Sequence, residues 1–381
     1  MAHKRLFGLD MLRAYAVLAV LYGHAYELIA GHLPPGAAAL YWLPVWDGVT
    51  LFFVLSGFLI GRILFVSFDR QGLTKSDVLH FWLRRWTRTL PPYYAVLTLT
   101  TALWMCAKRP IPTDLYQYYV FMQNWNWPHP EYFAEAWSLS VEEWFYLTVP
   151  LGFYAIFSLH FGRRHLAVCV YIVLVIGLTL AYRAYVGHHL GAFTFEEWDS
   201  VLRKRVTTRM DSLMLGVLGA YLSLYRAQAW QRLRMPALAL GCLLLLLDKA
   251  VLAHAVGTPA GDAYLAHVNL LLTPLAFLLL FPFFSTWQPL PRNAATVAVM
   301  AGITWISTIS YSLYLVNHTL VRELLFRSRV FSEGLFHAAP GHLAAALAQY
   351  TLYLAVSFAA AYVVWLAVEK PVMAYREKWW R

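Results

Sequence analysis

Charge is scarce in this chain: Asp, Glu, Lys and Arg make up only 13% of its residues, against 60% that are hydrophobic. A soluble domain carries roughly 25% charged and about 45–50% apolar residues. Ordinary soluble enzymes and binding modules are thereby excluded, and the chain reads as a polytopic membrane protein. Cysteine is scarcer still: Cys106, Cys169 and Cys242 show no paired spacing, so neither a disulfide framework nor a zinc site is expected, and no other metal site is called. Also missing are internal repeats, low-complexity tracts and any polar linker, so one membrane domain over residues 1–381 is the reading. No small-residue cleavage site follows the first apolar run, which is therefore expected to stay as the first helix.

What is present is a series of apolar runs near the 20 or so residues that a bilayer crossing needs. They fall at roughly 8–30, 48–66, 90–107, 143–161, 166–186, 208–225, 236–255, 268–284, 297–317 and 344–368, predicting an all-α bundle of about ten transmembrane helices. The formal net charge of +10 follows these runs. With both termini in the cytoplasm, Lys4, Arg5, Arg70, Lys75, Arg84, Arg85, Arg88, Arg163, Arg164, Arg226, Arg232, Arg234, Arg292, Lys370, Arg376, Lys378 and Arg381 lie inside. Only Lys108, Arg109, Arg203, Lys204, Arg205, Arg322, Arg327 and Arg329 lie outside, as the positive-inside rule requires. Attraction to anionic lipid accounts for this basic charge, so no nucleic-acid partner is called.

Two polar stretches and one span stand out. Segment 108–142 is dense in aromatics, including Tyr116, Tyr118, Phe121, Trp125, Trp127, Tyr132, Phe133 and Trp137; it reads either as an interfacial aromatic belt or as a platform for sugar rings. Segment 67–89 alternates basic and aromatic residues like an amphipathic interfacial helix. The first span holds Arg13 and His24. An ionisable group at mid-membrane costs about 2.5–3.5 kcal/mol and turns inward. Eleven residues at 100° each end about 20° past three full turns, so both side chains share a face, about 16–17 Å apart along the axis.

The stretches RLFGLDMLRAYAVLAVLYGHA, DGVTLFFVLSGFLIGRIL, FWLRRWTRTLPPYY, QNW, AWSLSVEEWFYLTVPL, RMDSLMLGVLGAYL, ISYSLYLVNHTLV and VEKPVMAYR follow one another in that order. Together they resemble the acyltransferase 3 family of membrane O-acyltransferases over nearly the whole chain. The resemblance implies an acyl-CoA donor (usually acetyl-CoA) as co-substrate with no tightly bound cofactor, a hydroxyl acceptor on a glycan or small metabolite, and a bacterial inner-membrane location. It carries the family's essential Arg and His onto Arg13 and His24, its basic loop pair onto Arg85 and Arg88 with Arg84 beside them, and its acidic residue onto Glu142 or Glu143. Its Arg-x-Asp falls on Arg209 and Asp211. Asn124, Trp137, Ser138, Ser140 and Tyr146 lie in the matching motifs as acceptor-binding or supporting residues. Three positions depart from the pattern: Thr50 stands where Asp is usual, Trp144 where Gln is usual, and Asn317 where His is usual, with His318 displaced to the next position.

Moving an acyl group from a thioester to an alcohol requires a base, and imidazole suits neutral pH. His24 is the candidate, with Glu143 as the carboxylate that orients it and Asp211 as second choice, Asp211 being equally readable as an ion-pair partner of Arg209. On a helix Glu142 and Glu143 are 100° apart, and Glu143 is expected on the inward face. Ser138 and Ser140 would be needed only for a covalent acyl-serine route; direct transfer needs no nucleophile. The polyanionic donor calls for guanidiniums, which grip phosphate through two hydrogen bonds, and Arg13, Arg85 and Arg88 are the candidates. Two rivals stand beside this reading. One is a transporter, whose pathways are also marked by intramembrane ionisable residues, and the other is a scaffold for polysaccharide assembly.

Overall fold

The computed structural model describes residues 6–34, 36–71, 73–158, 163–191, 193–255, 257–291, 293–326 and 343–379. Lys4, Arg5, Arg292, Arg327, Arg329, Arg381 and the side chain of Arg70, all used in the topology reading, lie outside the described residues. Every regular element among the described residues is helical. The principal helices are α1 (Phe7–Ala25), α2 (Gly48–Gln71), α3 (Lys75–Cys106), α4 (Ala136–Ser158), α5 (Arg164–Leu190), α6 (Met210–Tyr225), α7 (Arg234–Ala255), α8 (Pro259–Phe284), α9 (Ala294–Phe326) and α10 (Leu343–Lys378).

Six of these, α2, α5, α7, α8, α9 and α10, are long and apolar enough to cross a membrane by length and composition. The expected count was about ten. The other expected spans fall on α1, α3, α4 and α6, and the reason they differ is visible in their residues. Helix α1 carries Asp10, Arg13 and His24, α4 carries Glu142 and Glu143, the second half of α3 is uncharged but holds Pro91, Pro92, Tyr93, Tyr94, Thr98, Thr100 and Thr101, and α6 has only 16 residues.

Residues 67–71 end α2, whereas the rest of that polar segment from Lys75 and the expected span 90–107 form one continuous helix, α3, rather than two elements. Thr74 caps α3, its hydroxyl accepting from the Asp77 N–H (3.2 Å) while the Asp77 carboxylate accepts from the Thr74 N–H (2.8 Å). The helix runs on through Pro91 and Pro92 for 32 residues. It therefore carries Arg84, Arg85 and Arg88 rigidly at one end and Tyr93 and Tyr94 beyond the prolines.

Helix α2 lies at the centre: 67% of its span is buried, against 17% for α5, α7 and α10. Its nearest neighbour is α6, and the two backbones touch through small residues. A Cβ on Gly57 would lie 1.9 Å from the Leu213 carbonyl oxygen, and one on Gly216 would lie 2.2 Å from that of Val54. Gly57 and Gly61 form a small-xxx-small pair, the arrangement that lets membrane helices pack on van der Waals contact where apolar lipid offers no hydrophobic drive. Three wider π turns interrupt the long helices, at Leu265–Asn269 in α8, Asn317–Phe326 in α9 and Trp365–Glu369 in α10.

The α2–α6 contact makes a direct prediction. Gly57→Ala and Gly216→Ala each drive a methyl group into backbone, so each should lower the unfolding midpoint in detergent by at least the ~1–3 kcal/mol typical of overpacking. Gly177→Ala, in α5 with no atom within 4 Å of the new methyl, should be neutral or mildly stabilising, since alanine favours helix by about 1 kcal/mol. Equal midpoints for all three variants would show that the close approach does not exist.

Candidate functional site

A single cavity gathers much of the expected chemistry. It offers about 90 Å³ to the centres of water-sized molecules and is lined by α1, α2, α3, α4 and α9. Arg13 comes from α1, Arg85, Arg88 and Thr89 from α3, Ser138, Leu139, Glu142 and Tyr146 from α4, and Ser310, Tyr311 and Tyr314 from α9; Phe52, Phe53, Leu55 and Leu59 of α2 form its apolar wall. The α4 residues repeat every four positions (138, 142, 146), which on a helix is one face.

The guanidiniums are held from several sides. Arg13 lies 3.6 Å from the Asp10 carboxylate and 3.5 Å from the Ser307 hydroxyl, which itself donates to Asp10 at 2.7 Å. Arg85 sits over the Tyr146 ring, 5.2 Å from its centre, a cation–π contact that orients the cation without neutralising it. Tyr146 in turn is fixed by Ser56 (hydroxyl to hydroxyl, 2.7 Å) and by Trp82, whose indole N–H donates to the Tyr146 carbonyl at 2.9 Å. Arg84 does not line the cavity; it is exposed, and its carbonyl accepts from Arg376 at 3.2 Å.

Glu143 is the more buried glutamate, as expected for an inward-facing residue, but only Glu142 lines the cavity. Glu142 lines the cavity beside Ser56 and Tyr146, while Glu143 is buried against Thr89 and Trp86 of α3. The 100° between consecutive residues allows only one of them onto the 138–142–146 face. The Oε2 of Glu143 has no hydrogen-bond partner among the described residues.

His24 does not line this cavity either, and its partner is not Glu143. Its Nδ1 lies 2.6 Å from the Oδ1 of Asn317, and its ring packs edge-on against His318 with centres 4.6 Å apart. Behind His318 lies Glu135, 3.9 Å from its Nδ1; the Glu135 carboxylate also accepts from the Thr319 hydroxyl and from its N–H at 3.3 Å. Arg322, from the same π turn as Asn317 and His318, pairs with Glu27. Tyr314 joins this cluster to the cavity: its side chain lines the cavity and bonds Ser138 at 2.6 Å, while its carbonyl accepts from the Asn317 amide at 2.8 Å.

Asp211 lies elsewhere, in a buried ion pair with Arg183 at 2.8 Å. The sequence offers Arg209 as its partner because it is two residues away. Arg209 instead donates to the Thr50 hydroxyl at 2.6 Å and covers the Phe53 ring. Thr50 passes the contact on to Asp47 at 2.8 Å, and Asp47 pairs with Arg203, which lies over Trp137. Asp47, three residues earlier, thus supplies the carboxylate that the departure at Thr50 removes. Burial alone would raise the Asp47 carboxyl, but Arg203, Arg209 and the Thr50 hydrogen bonds outweigh it and hold the group at about 2.

Asn124, Trp137 and Ser140 serve packing. The fully buried Asn124 donates to the carbonyls of Trp137 (3.0 Å) and Lys204 (2.5 Å), and Gln123 donates to the Ser140 hydroxyl at 2.5 Å, so this pair ties segment 108–142 to the start of α4. The aromatics of that segment divide: Tyr118, Phe121, Tyr132, Phe133 and Trp137 are buried core, whereas Tyr116, Tyr119 and Trp127 are exposed. Neither an aromatic belt nor an open platform describes the first group.

Sequence reasoning passes over Ser310, Tyr311, Asn317 and Thr319 as site-lining residues. A partial signal exists: Ser307, Ser310, Tyr314 and Asn317 recur every three or four residues and share one face, although Thr308 and Ser312 put polar groups on other faces of the same helix.

A family model described as an acyltransferase domain matches residues 6–366. The O-acetyltransferase OatA of Staphylococcus aureus is 31% identical over 188 residues, covering 45% of this chain and 28% of that protein. YrhL of Bacillus subtilis, named provisionally as a peptidoglycan O-acetyltransferase, is 30% identical over 165 residues, 39% of this chain and 24% of its own. The chain thus matches less than a third of the length of these relatives. No solved structure gives a significant match.

The Asp47 cluster has a pH signature. A carboxyl held below its ordinary 3.8 contributes stability that is complete above that value and disappears as pH falls through about 2. Asp47→Asn should therefore lower the unfolding midpoint at neutral pH, by on the order of 2 kcal/mol, with the gap to the parent closing between about pH 4 and pH 2. A gap of the same size across that window would mean that the charge on Asp47 contributes nothing.

Proposed function

The chain belongs to the acyltransferase family whose domain model spans residues 6–366 and, with six helices among the described residues long and apolar enough to cross a bilayer, is an integral membrane protein; from this premise we propose that it is an O-acetyltransferase of extracytoplasmic glycans. Acetyl-CoA is the donor, presented at the cytoplasmic face of a bacterial inner membrane with both chain termini on that side. The acceptor is a sugar hydroxyl reached from the opposite side. The names of OatA and YrhL support acetyl transfer.

The observation that carries the reading is the cavity in which Arg13, Arg85 and Arg88 converge from two helices beside an apolar wall. Three guanidiniums suit the phosphates of a nucleotide thioester, and the apolar wall suits the pantetheine arm and a short acyl group. His24, held by Asn317 and one turn of α9 away from the cavity-lining Tyr314, acts as general base on the acceptor hydroxyl. Transfer is direct: the hydroxyl oxygen attacks the thioester carbon as His24 takes its proton, the C–S bond breaks, and the proton passes to the departing thiolate.

Purified protein in detergent or vesicles, given acetyl-CoA and a glycan acceptor, should transfer the acetyl group; no transfer under any acceptor, with unaltered surface glycans in cells lacking the protein by mass spectrometry, would exclude the reading. His24→Ala should reduce turnover about 100- to 10,000-fold with donor affinity retained.

Arg85→Ala and Arg88→Ala should each raise the donor KM about ten- to a hundred-fold, with a smaller effect on kcat, because a remote phosphate contact is made in ground and transition states alike. Lysine should restore little where two hydrogen bonds are needed. Donor titrations of the alanine and lysine variants check this, and unaltered KM throughout would remove the arginines from the donor site. Between the glutamates, Glu142→Gln should disturb donor binding more than Glu143→Gln; the opposite order would place the donor outside the cavity.

A further inference from the structure

Asn317 is fully buried, and its hydrogen bonds leave its amide only one orientation. The Nδ2 group donates to the carbonyls of Leu313 (2.9 Å) and Tyr314 (2.8 Å). Carbonyl oxygens only accept, so the amide oxygen must be the atom that faces His24. That oxygen lies 2.6 Å from the His24 Nδ1 and also receives the Tyr353 hydroxyl at 3.5 Å, while the Asn317 backbone carbonyl receives the same hydroxyl at 3.2 Å. An amide oxygen cannot donate, so the proton between Asn317 and His24 belongs to the histidine. A neutral imidazole with its proton on Nδ1 keeps its lone pair on Nε2.

We propose that Asn317 is a positioning residue that holds His24 as the Nδ1–H tautomer, so that Nε2 is the atom able to take a proton. The chemical use of Nε2 rests on the acyl-transfer reading above; the tautomer itself does not. An amide suits this role because it orients the ring without bringing a buried charge, and its two backbone anchors keep it from turning over. Nδ1 of His24 is taken by the Asn317 oxygen, the His318 ring meets His24 edge-on, and the Glu135 carboxylate is engaged by Thr319. The π turn that begins at Asn317 sets consecutive residues 317 and 318 both against His24. Within the proposed reaction the acceptor oxygen forms the new C–O bond, the C–S bond breaks, and the proton moves from hydroxyl to Nε2 and on to the leaving thiolate.

The test is magic-angle-spinning NMR of the full chain labelled with ¹⁵N-histidine, with the His24 signals assigned by their loss in His24→Gln. The expected spectrum shows Nδ1 at a protonated shift and Nε2 at an unprotonated one; the reverse pattern overturns the proposal. Asn317→Leu should scramble the tautomer and reduce turnover about 100-fold at unchanged donor KM, while Asn317→Asp, which keeps an acceptor oxygen but loses the two backbone anchors and adds a charge, should keep the proton on Nδ1 with only part of the turnover. An Asn317→Leu protein with the parent tautomer also overturns it. If Asn317→Leu does not fold, the parent and Asn317→Asp spectra still decide. A parent protein with the expected tautomer but no acyl transfer would reject the functional reading and leave the role of Asn317 standing.

Discussion

The molecule is organised by the cost of placing ionisable groups among apolar helices. Each such group within the bundle is costly unless it finds a partner, and the partners found decide which helices sit at the centre. Arg183 and Asp211 join α5 to α6. Arg209, Thr50 and Asp47 join the start of α6 to the start of α2, and Arg203 extends that chain to Trp137 at the start of α4. Asp10, Ser307 and Arg13 join α1 to α9. With these ties made, the glycine contact between α2 and α6 fills the middle, and the more exposed helices α5 and α7 are anchored by single buried groups, Arg183 on Asp211 and Asp248 on Asn269.

Against that background the cavity is an exception. Its guanidiniums converge from α1 and α3 on one space, Arg13 paired with Asp10 and Arg85 oriented by an aromatic face. Arginine held by stacking keeps its donors directed outward. Such an arrangement suits an anion that arrives and leaves, which a set of closed ion pairs would not.

The all-helical membrane class is legible in composition, and the family in the order of its motifs, because both depend on residue type and sequence order. Arg13, Arg85 and Arg88 can be placed from a helical wheel and the positions of charge. The choice between Glu142 and Glu143 cannot, since one step of helix rotation separates them and the deciding contact, with Thr89 and Trp86, comes from another helix. The partner of Asp211 is hidden for the same reason: Arg209 is close in sequence, Arg183 only in space. The hydrogen bond from His24 to Asn317 bridges 293 positions of sequence, and no local pattern announces it. Nor does a run of apolar residues reveal where a helix will widen into a π turn.

That widening bears on how this chain should be laid beside its relatives. A π turn is the shape a helix takes when one more residue is fitted into a turn whose ends stay put. If the motif ISYSLYLVNHTLV is aligned by counting, His318 falls one place late and looks like a loss. Aligned by geometry, the turn supplies two ring-facing positions where a regular helix would supply one, and the displaced histidine still reaches His24. Where a helix widens in this way, counting along the sequence and measuring in space can differ by one position, and a side chain displaced by one residue can keep the same neighbour.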